Sequence, residues 1–243
     1  MKVSEQERIK SKIFSINREK WFGSNFDVRF YLISKLKQQN KRILDVGGGI
    51  GIISSEMSKT NDVINLDLNF KDLITCVHTN QDVKCVCASM INIPFSDDSF
   101  DVVISSSVLQ YAKLEDTKSK QIKQVNGIQT YPSVEKSIKE IHRILKPNGL
   151  LFLITQNNSY YNSYMLEYDE LMRALNLYFP SGNISFFNTY PRLSRKSRKL
   201  DLSIVIPKIK SKIYGIDKTI NSLLRVHARN NYSVSFYGEI KKI

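Results

Sequence analysis

The sequence predicts an α/β fold in which helices cover both faces of a mostly parallel sheet. Three observations support this. Short apolar runs at Ile43–Val46, Val63–Asp67, Val83–Ala88, Phe100–Ser105 and Leu150–Thr155 alternate with stretches of helical pattern. The connections are long enough for crossovers, which join parallel strands through a helix. The first run passes directly into a glycine-rich turn and then into a helix-forming stretch, Ile52–Lys59.

That turn reads ILDVGGGIG over Ile43–Gly51, with Gly47, Gly49 and Gly51 at alternate positions. Such glycines let the backbone approach a ligand, and the N–H groups that open the next helix face it. A dinucleotide fingerprint requires G-x-G-x-x-G. Counted from Gly47, its third glycine would fall on Ile52. Asp45, at the mouth of the turn, would also repel a pyrophosphate. A carboxylate there suits a ligand that carries a positive charge and a ribose, so the turn reads as a site for S-adenosylmethionine.

Taken in order, residues 1–42 read as a helical leader, with Ile9, Ile13 and Ile16 spaced along one face and an aromatic turn at Lys20–Asp27. Two roles stand open for it, capping the site and plain packing. The second strand ends in Asp67, 20 residues past Gly47. A carboxylate at that strand end can accept both hydroxyls of a ribose. In the third strand Cys85 and Cys87 alternate, which predicts small core residues on one face; with Cys76 they show no C-x-x-C spacing for zinc or a disulfide framework. After the fourth strand, Ala112–Pro132 is polar and reads as a long loop over the site, a lid that Tyr111 begins. The Tyr111 phenol either orients an acceptor, as the one weak catalytic candidate, or packs. Ser133–Lys146 places Val134, Ile138, Ile141 and Leu145 on one face, a helix with Ser133 as its expected N-cap. Tyr160, Tyr161, Tyr164, Asn157 and Asn158 follow the fifth strand and suit a polar, partly planar acceptor, while Leu166, Leu171, Ala174 and Leu175 suggest a helix. Residues 184–190 and 232–240 alternate as strands. Between them lie the cationic run Pro191–Lys199 and a basic amphipathic helix over 208–226, with Ile209, Ile213, Ile216, Ile220 and Leu224 in a stripe. Docking on its own domain, contact with a membrane surface and a lid role are the alternatives for that helix.

The blocks ILDVGGGIG, NLD, INIPFSDDSFDVVISSSVLQY and EIHRILKPNGLLFLIT stand in this order over residues 43–155. In this the chain resembles the class I S-adenosylmethionine-dependent methyltransferases, most of all their small-molecule "type 11" branch. The resemblance implies a Rossmann-like, doubly wound, mostly parallel seven-stranded sheet with an antiparallel last strand. It implies one domain: a cap over 1–42, a cofactor-binding core over 43–189, a basic helical insertion over 190–231 and the last strand over 232–243. It also puts Asp45, Gly47, Gly48 and Gly49 near the methionine moiety, Asp67 on the ribose and Leu68 against the adenine. Ser89 and Met90 would flank the adenine, and Ser105 and Ser106 would line the floor. Family members commonly carry an acid where this chain has Ser89, whose hydroxyl can still accept from the adenine amino group.

Composition bounds what remains. At 243 residues, one elaborated domain is expected. The chain has no apolar run of membrane-spanning length, and MKVSEQERIK lacks the apolar stretch of a secretory signal. The expected location is therefore the cytoplasm, with peripheral membrane contact as the alternative. The net charge is +13, and it is unevenly spread: residues 1–42 hold 11 Lys/Arg against 4 acids, and residues 190–243 hold 13 against 3. Basic ends around a mildly acidic core suggest an anionic partner. His78, His142 and His227 have no spacing that suggests a metal or a triad; His142 reads as a surface residue and no metal is expected. Methyl transfer to a small-molecule, glycan or lipid-intermediate acceptor is the reading. RNA methylation and a non-catalytic scaffold are its rivals, nucleic acid being disfavoured because Arg192–Lys199 lacks interleaved aromatics for base stacking.

Overall fold

The computed structural model describes residues 40–156, 166–179, 184–188 and 235–243. The helical leader up to residue 39, the Tyr- and Asn-rich stretch 157–165 and the basic insertion with its helix 208–226 lie outside the described residues. Strand β1 (Arg42–Val46) is followed by helix α1 (Ile52–Met57), β2 (Asp62–Asp67), α2 (Phe70–Thr79), β3 (Lys84–Cys87) and β4 (Phe100–Ser106). Then come α3 (Leu109–Lys118), β5 (Lys123–Val125), β6 (Ile128–Thr130), α4 (Pro132–Ile144) and β7 (Leu145–Gln156). The described chain closes with α5 (Tyr168–Asn176), β8 (Ile184–Asn188) and β9 (Ser235–Lys241).

The main sheet has seven strands in the order β3-β2-β1-β4-β7-β9-β8. Every pair from β3 to β7 is parallel, and β9 runs antiparallel to both of its neighbours. This is the doubly wound sheet with an antiparallel last strand that the resemblance implies. Both faces are buried, which is why the strands read as near-continuous apolar runs. Ile43, Val102, Ile104 and Phe152 face Ile53 and Met57 of α1. Leu44, Val46, Val103, Leu151 and Leu153 face the other way, under Val134, Ile138 and Ile141 of α4 and Leu171 and Leu175 of α5. From β1 and β4 the chain leads outward in opposite directions, and the crevice at such a switch point is where ligands bind.

Four expectations are corrected. The stretch after β4 is not a loop: it holds α3, a two-stranded hairpin and the start of α4. Its charges suggest exposure, but Lys113 is buried in a 2.6 Å ion pair with Glu170 of α5, and Asp116 is buried, accepting the Ser133 N–H at 2.8 Å and its hydroxyl at 2.6 Å. Ser133 is consequently not the N-cap. Tyr131 takes that place with Pro132 in the first turn, where a residue without an N–H loses no hydrogen bond. Cys85 and Cys87 are not core residues either, because β3 is the sheet edge: Cys85 is half-buried and Cys87 exposed, whereas Cys76 on α2 is buried. Burial, with Cys76 beside it, pushes the Cys85 thiol up to about 12. His142, finally, is half-buried, its ring edge-on to Phe179 at 5.0 Å, and burial lowers its pKa.

The Lys113–Glu170 pair supplies a test of this packing. Breaking a buried pair strands the remaining charge, so Lys113→Met should cost about 3–5 kcal/mol, and adding Glu170→Leu should recover most of it. Urea unfolding of both single variants and the double variant measures this; single losses that simply add in the double would show that the pair is not coupled.

Candidate functional site

Asp45 is the penultimate residue of β1, before Val46 and the glycine turn, and is paired in register with Asn65 of β2. Both side chains are buried. The Asp45 carboxylate accepts the Ser54 hydroxyl of α1 at 2.6 Å. The Asn65 amide donates to the Gly49 carbonyl at 2.8 Å and toward the Cys76 sulfur at 3.3 Å. The turn lies directly over this pair, so that a Cβ on Gly48 would collide with the Asn65 side-chain oxygen and with the Asp45 carboxylate. Gly49 is different. It has φ +55, and the nearest atom to a Cβ there is the Asp67 carboxylate at 4.0 Å. A side chain at that position would fill open space rather than protein.

Asp67 closes β2 on the far side of that space. One carboxylate oxygen accepts the Gly49 N–H at 2.9 Å and the other accepts the Asn69 N–H at 2.8 Å. Each oxygen has a second lone pair, so the group can hold the turn and still accept two hydroxyls. Asp72, one turn into α2, is bonded by the Asn69 amide at 2.9 Å. Burial, and then the charge of Asp67, raise its pKa.

These groups surround one cavity of about 800 Å³, within the size range of small-molecule and cofactor sites. Asp45, Gly47, Gly48, Gly49, Asp67, Leu68, Ser89, Met90, Ser106 and Tyr111 all line it. Ser105 does not. It is fully buried behind the wall with its hydroxyl unpaired, and Ser107 and Val108 take the place expected for it. Tyr111 sits in the first turn of α3 and is 59% exposed at the rim. The charged residues of the lining are Asp45, Asp67 and Asp72; the described residues place no lysine, arginine or histidine there. Nor, among the described residues, is any group of three or more His, Cys, Asp or Glu placed to hold a metal ion.

A residue outside the cavity shapes its wall. Arg143 of α4 donates to the carbonyls of Ile93 at 2.9 Å and Phe95 at 2.8 Å, to Asp97 at 2.8 Å and to both oxygens of Glu140 at 2.9 Å. Glu140 in turn accepts the Ile93 N–H at 2.9 Å. The clamp fixes the chain just after Ser89 and Met90, whose position decides how wide the cavity is.

Residues 44–153 match the family model described as a methyltransferase domain. This stretch is a class I S-adenosylmethionine-dependent methyltransferase domain. The chain is 24% identical over 136 residues to the ubiquinone/menaquinone biosynthesis C-methyltransferase UbiE of Haemophilus ducreyi, covering 52% of this chain and 45% of that protein. It is 26% identical over 137 residues to the demethylmenaquinone methyltransferase of Renibacterium salmoninarum, covering 56% of this chain and 50% of the other. The chain thus spans about half the length of these curated relatives. Among solved structures, a TehB-like S-adenosylmethionine-dependent methyltransferase of Corynebacterium glutamicum superposes with a TM-score of 0.56 at 14% identity, over 99% of each chain. At that identity the likeness shows the fold.

The cofactor of this family is S-adenosylmethionine, and the observed cavity fits it. The open space over Gly49 takes ligand atoms, Asp67 has acceptors to offer a ribose, and the carboxylates favour a cation. Two outcomes follow for the site. Asp67→Ala should weaken S-adenosylmethionine by about 1.5–3 kcal/mol, and Gly49→Val should abolish binding in a folded protein, both by calorimetric titration. Unchanged affinity in either would remove that residue from the site. The clamp predicts a pH effect. Arg143 above all holds the Glu140 carboxyl below its usual range. The contribution of a depressed carboxylate is present above the unfolded value of about 4.3 and is lost as pH falls through the folded one. Arg143→Met should therefore destabilise by about 2 kcal/mol at pH 7 and by clearly less at pH 3.5, as read by denaturant midpoints.

Proposed function

We propose that this chain transfers a methyl group from S-adenosylmethionine to a small, uncharged acceptor, and that the quinone acceptors in the names of its curated relatives mark the chemical class. The observation that carries this is the charge of the cavity lining. Its carboxylates, with no cation among the described lining residues, favour a bound sulfonium and disfavour an anionic acceptor beside it. The relatives' names, a ubiquinone/menaquinone C-methyltransferase and a demethylmenaquinone methyltransferase, support an aromatic acceptor.

When bound, the cofactor supplies an electrophilic methyl group on a sulfonium, whose sulfur leaves uncharged. The protein's part is then mainly positioning and exclusion of water. Asp67 would hold the ribose through the lone pairs left by Gly49 and Asn69. Gly49 would let the ligand pass over the turn, and Leu68 and Met90 would enclose the adenine with Ser89. Asp45, held by Ser54, would face the methionine end. Val108 and Tyr111 would form the acceptor side, an apolar wall and a phenol at the rim, with Tyr111 orienting the acceptor's oxygen.

The direct test is transfer of a labelled methyl group to a panel of acceptors: a substituted hydroquinone, a neutral sugar and a phosphomonoester. Label should appear on the hydroquinone, and Tyr111→Ala should lower kcat/KM about tenfold while cofactor affinity is retained. Preference for the phosphomonoester would overturn the acceptor class, and cofactor binding without transfer to any acceptor would favour the scaffold reading.

A further inference from the structure

The hairpin inserted between α3 and α4 takes no part in the cavity. α4 ends at Ile144, next to Leu145, which pairs with Phe100 at the start of β4. Its first turn therefore lies about 20 Å away, at the opposite edge of the sheet, where the strands end and the cavity opens. Asp116 of α3 binds that first turn, and β6 leads straight into it. The hairpin thus stands on the cavity's edge of the domain.

Its root is fixed, and among the described residues its tip has no partner outside the hairpin. Thr130 and Tyr131 are buried, and the Tyr131 hydroxyl contacts Gln129 at 2.7 Å and Glu170 at 3.2 Å. At the tip, Asn126 and Gly127 have φ +52 and +78, the left-handed pair of a two-residue hairpin turn, so the shape is preformed. What projects is one-sided in chemistry. Residues 117–130 hold Lys118, Lys120 and Lys123 and no acid. All three lysines are exposed. Among them, Ile122 is 38% exposed and Val125 is 41% exposed. Lys123 and Val125, two apart on one strand, share a face.

We propose that this hairpin is a contact surface for an anionic lipid bilayer. Lys123 of the hairpin, Lys118 at the end of α3 and Lys120 between them lie at the level of the phosphate and carboxylate headgroups, with Ile122 and Val125 in the apolar boundary. Cationic and apolar side chains on the hairpin and the short segment that leads into it from α3 match that interface, where charge attraction and apolar burial add. A nucleic acid would use the lysines but leave the two apolar side chains exposed, and residues 117–130 contain no aromatic ring for base stacking. The contact does not depend on the transfer reaction. If the acceptor proposed above is itself apolar, the contact turns the cavity mouth toward the phase that holds it.

Co-sedimentation of the full chain with vesicles tests this. The protein should pellet with phosphatidylcholine–phosphatidylserine vesicles, less so at high salt, and should stay in solution with phosphatidylcholine alone. Each lysine is worth about fivefold in partitioning, so Lys118→Gln, Lys120→Gln and Lys123→Gln together should weaken binding about 100-fold. Ile122→Ser with Val125→Ser should weaken it about tenfold or more. Both variants should still bind S-adenosylhomocysteine with unchanged affinity, which reports an intact fold and cavity. As an independent readout, the tryptophan introduced by Val125→Trp should shift its emission to the blue with the anionic vesicles only. Vesicle binding that survives both variants, an unshifted Val125→Trp emission, or failure of the wild type to bind anionic vesicles would overturn the proposal. So would hairpin-dependent binding to RNA without vesicle binding.

Discussion

The buried Asp45–Asn65 pair, side by side near the C-terminal ends of β1 and β2, is the constraint on which the site depends. Buried polar groups seek partners: the Asp45 carboxylate finds the Ser54 hydroxyl and the Asn65 amide N–H groups find Gly49 and Cys76, while the Asn65 side-chain oxygen is buried under the turn without a partner. The Asn65 amide thereby pulls the Gly49 carbonyl down onto the sheet, and the Gly49 N–H is left pointing at Asp67. The turn is thus held from below by an amide and from the side by a carboxylate. The cavity above it is preorganised, since the Gly49 N–H and carbonyl are both held before a ligand arrives. Such preformed geometry reduces the ordering cost of binding.

The rest of the domain keeps that arrangement in place. The order of β2, β1 and β4 puts Asp67, the glycine turn and Ser106 at adjacent strand ends, so residues far apart in sequence meet around one space. On one flank the Arg143–Glu140 clamp ties the segment after Ser89 and Met90 to α4. On the other, the Lys113–Glu170 pair and the Asp116–Ser133 contact lock α3, with Tyr111 at its start, to α4 and α5. Both flanks rely on charged groups that are neutralised within the fold, which frees the cavity's own carboxylates to set its potential.

Features set by local chemistry were legible in the sequence, and features set by distant partners were not. The strand-to-glycine turn, Asp67 at the end of β2 and the amphipathic face of α4 each follow from residue type and spacing over a few positions. The polarity of Asn65 inside the apolar run VINLD was itself a signal, since an amide in a doubly covered strand must serve something. By contrast, α3 and the hairpin look like a solvated loop because the partner of Lys113 lies 57 residues further on, at Glu170. The edge position of β3, which exposes Cys87, follows from strand order and not from the pattern of KCVC. Ser105 faces the core while its neighbour Ser106 lines the cavity, because side chains alternate along β4; Ser107 follows the strand at φ +57, and this turn brings it to the cavity.

The central claim is that the cavity over Gly49 is built for S-adenosylmethionine and not for a dinucleotide. Equilibrium titration of the wild-type protein with S-adenosylhomocysteine and with NAD, under identical conditions, tests it most directly. The account predicts saturable binding of S-adenosylhomocysteine at one site per chain and none of NAD at the same concentrations, because Asp45 and Asp72 repel a pyrophosphate and the third glycine of a dinucleotide turn is Ile52. Binding of NAD with comparable affinity, or no binding of S-adenosylhomocysteine, would contradict it.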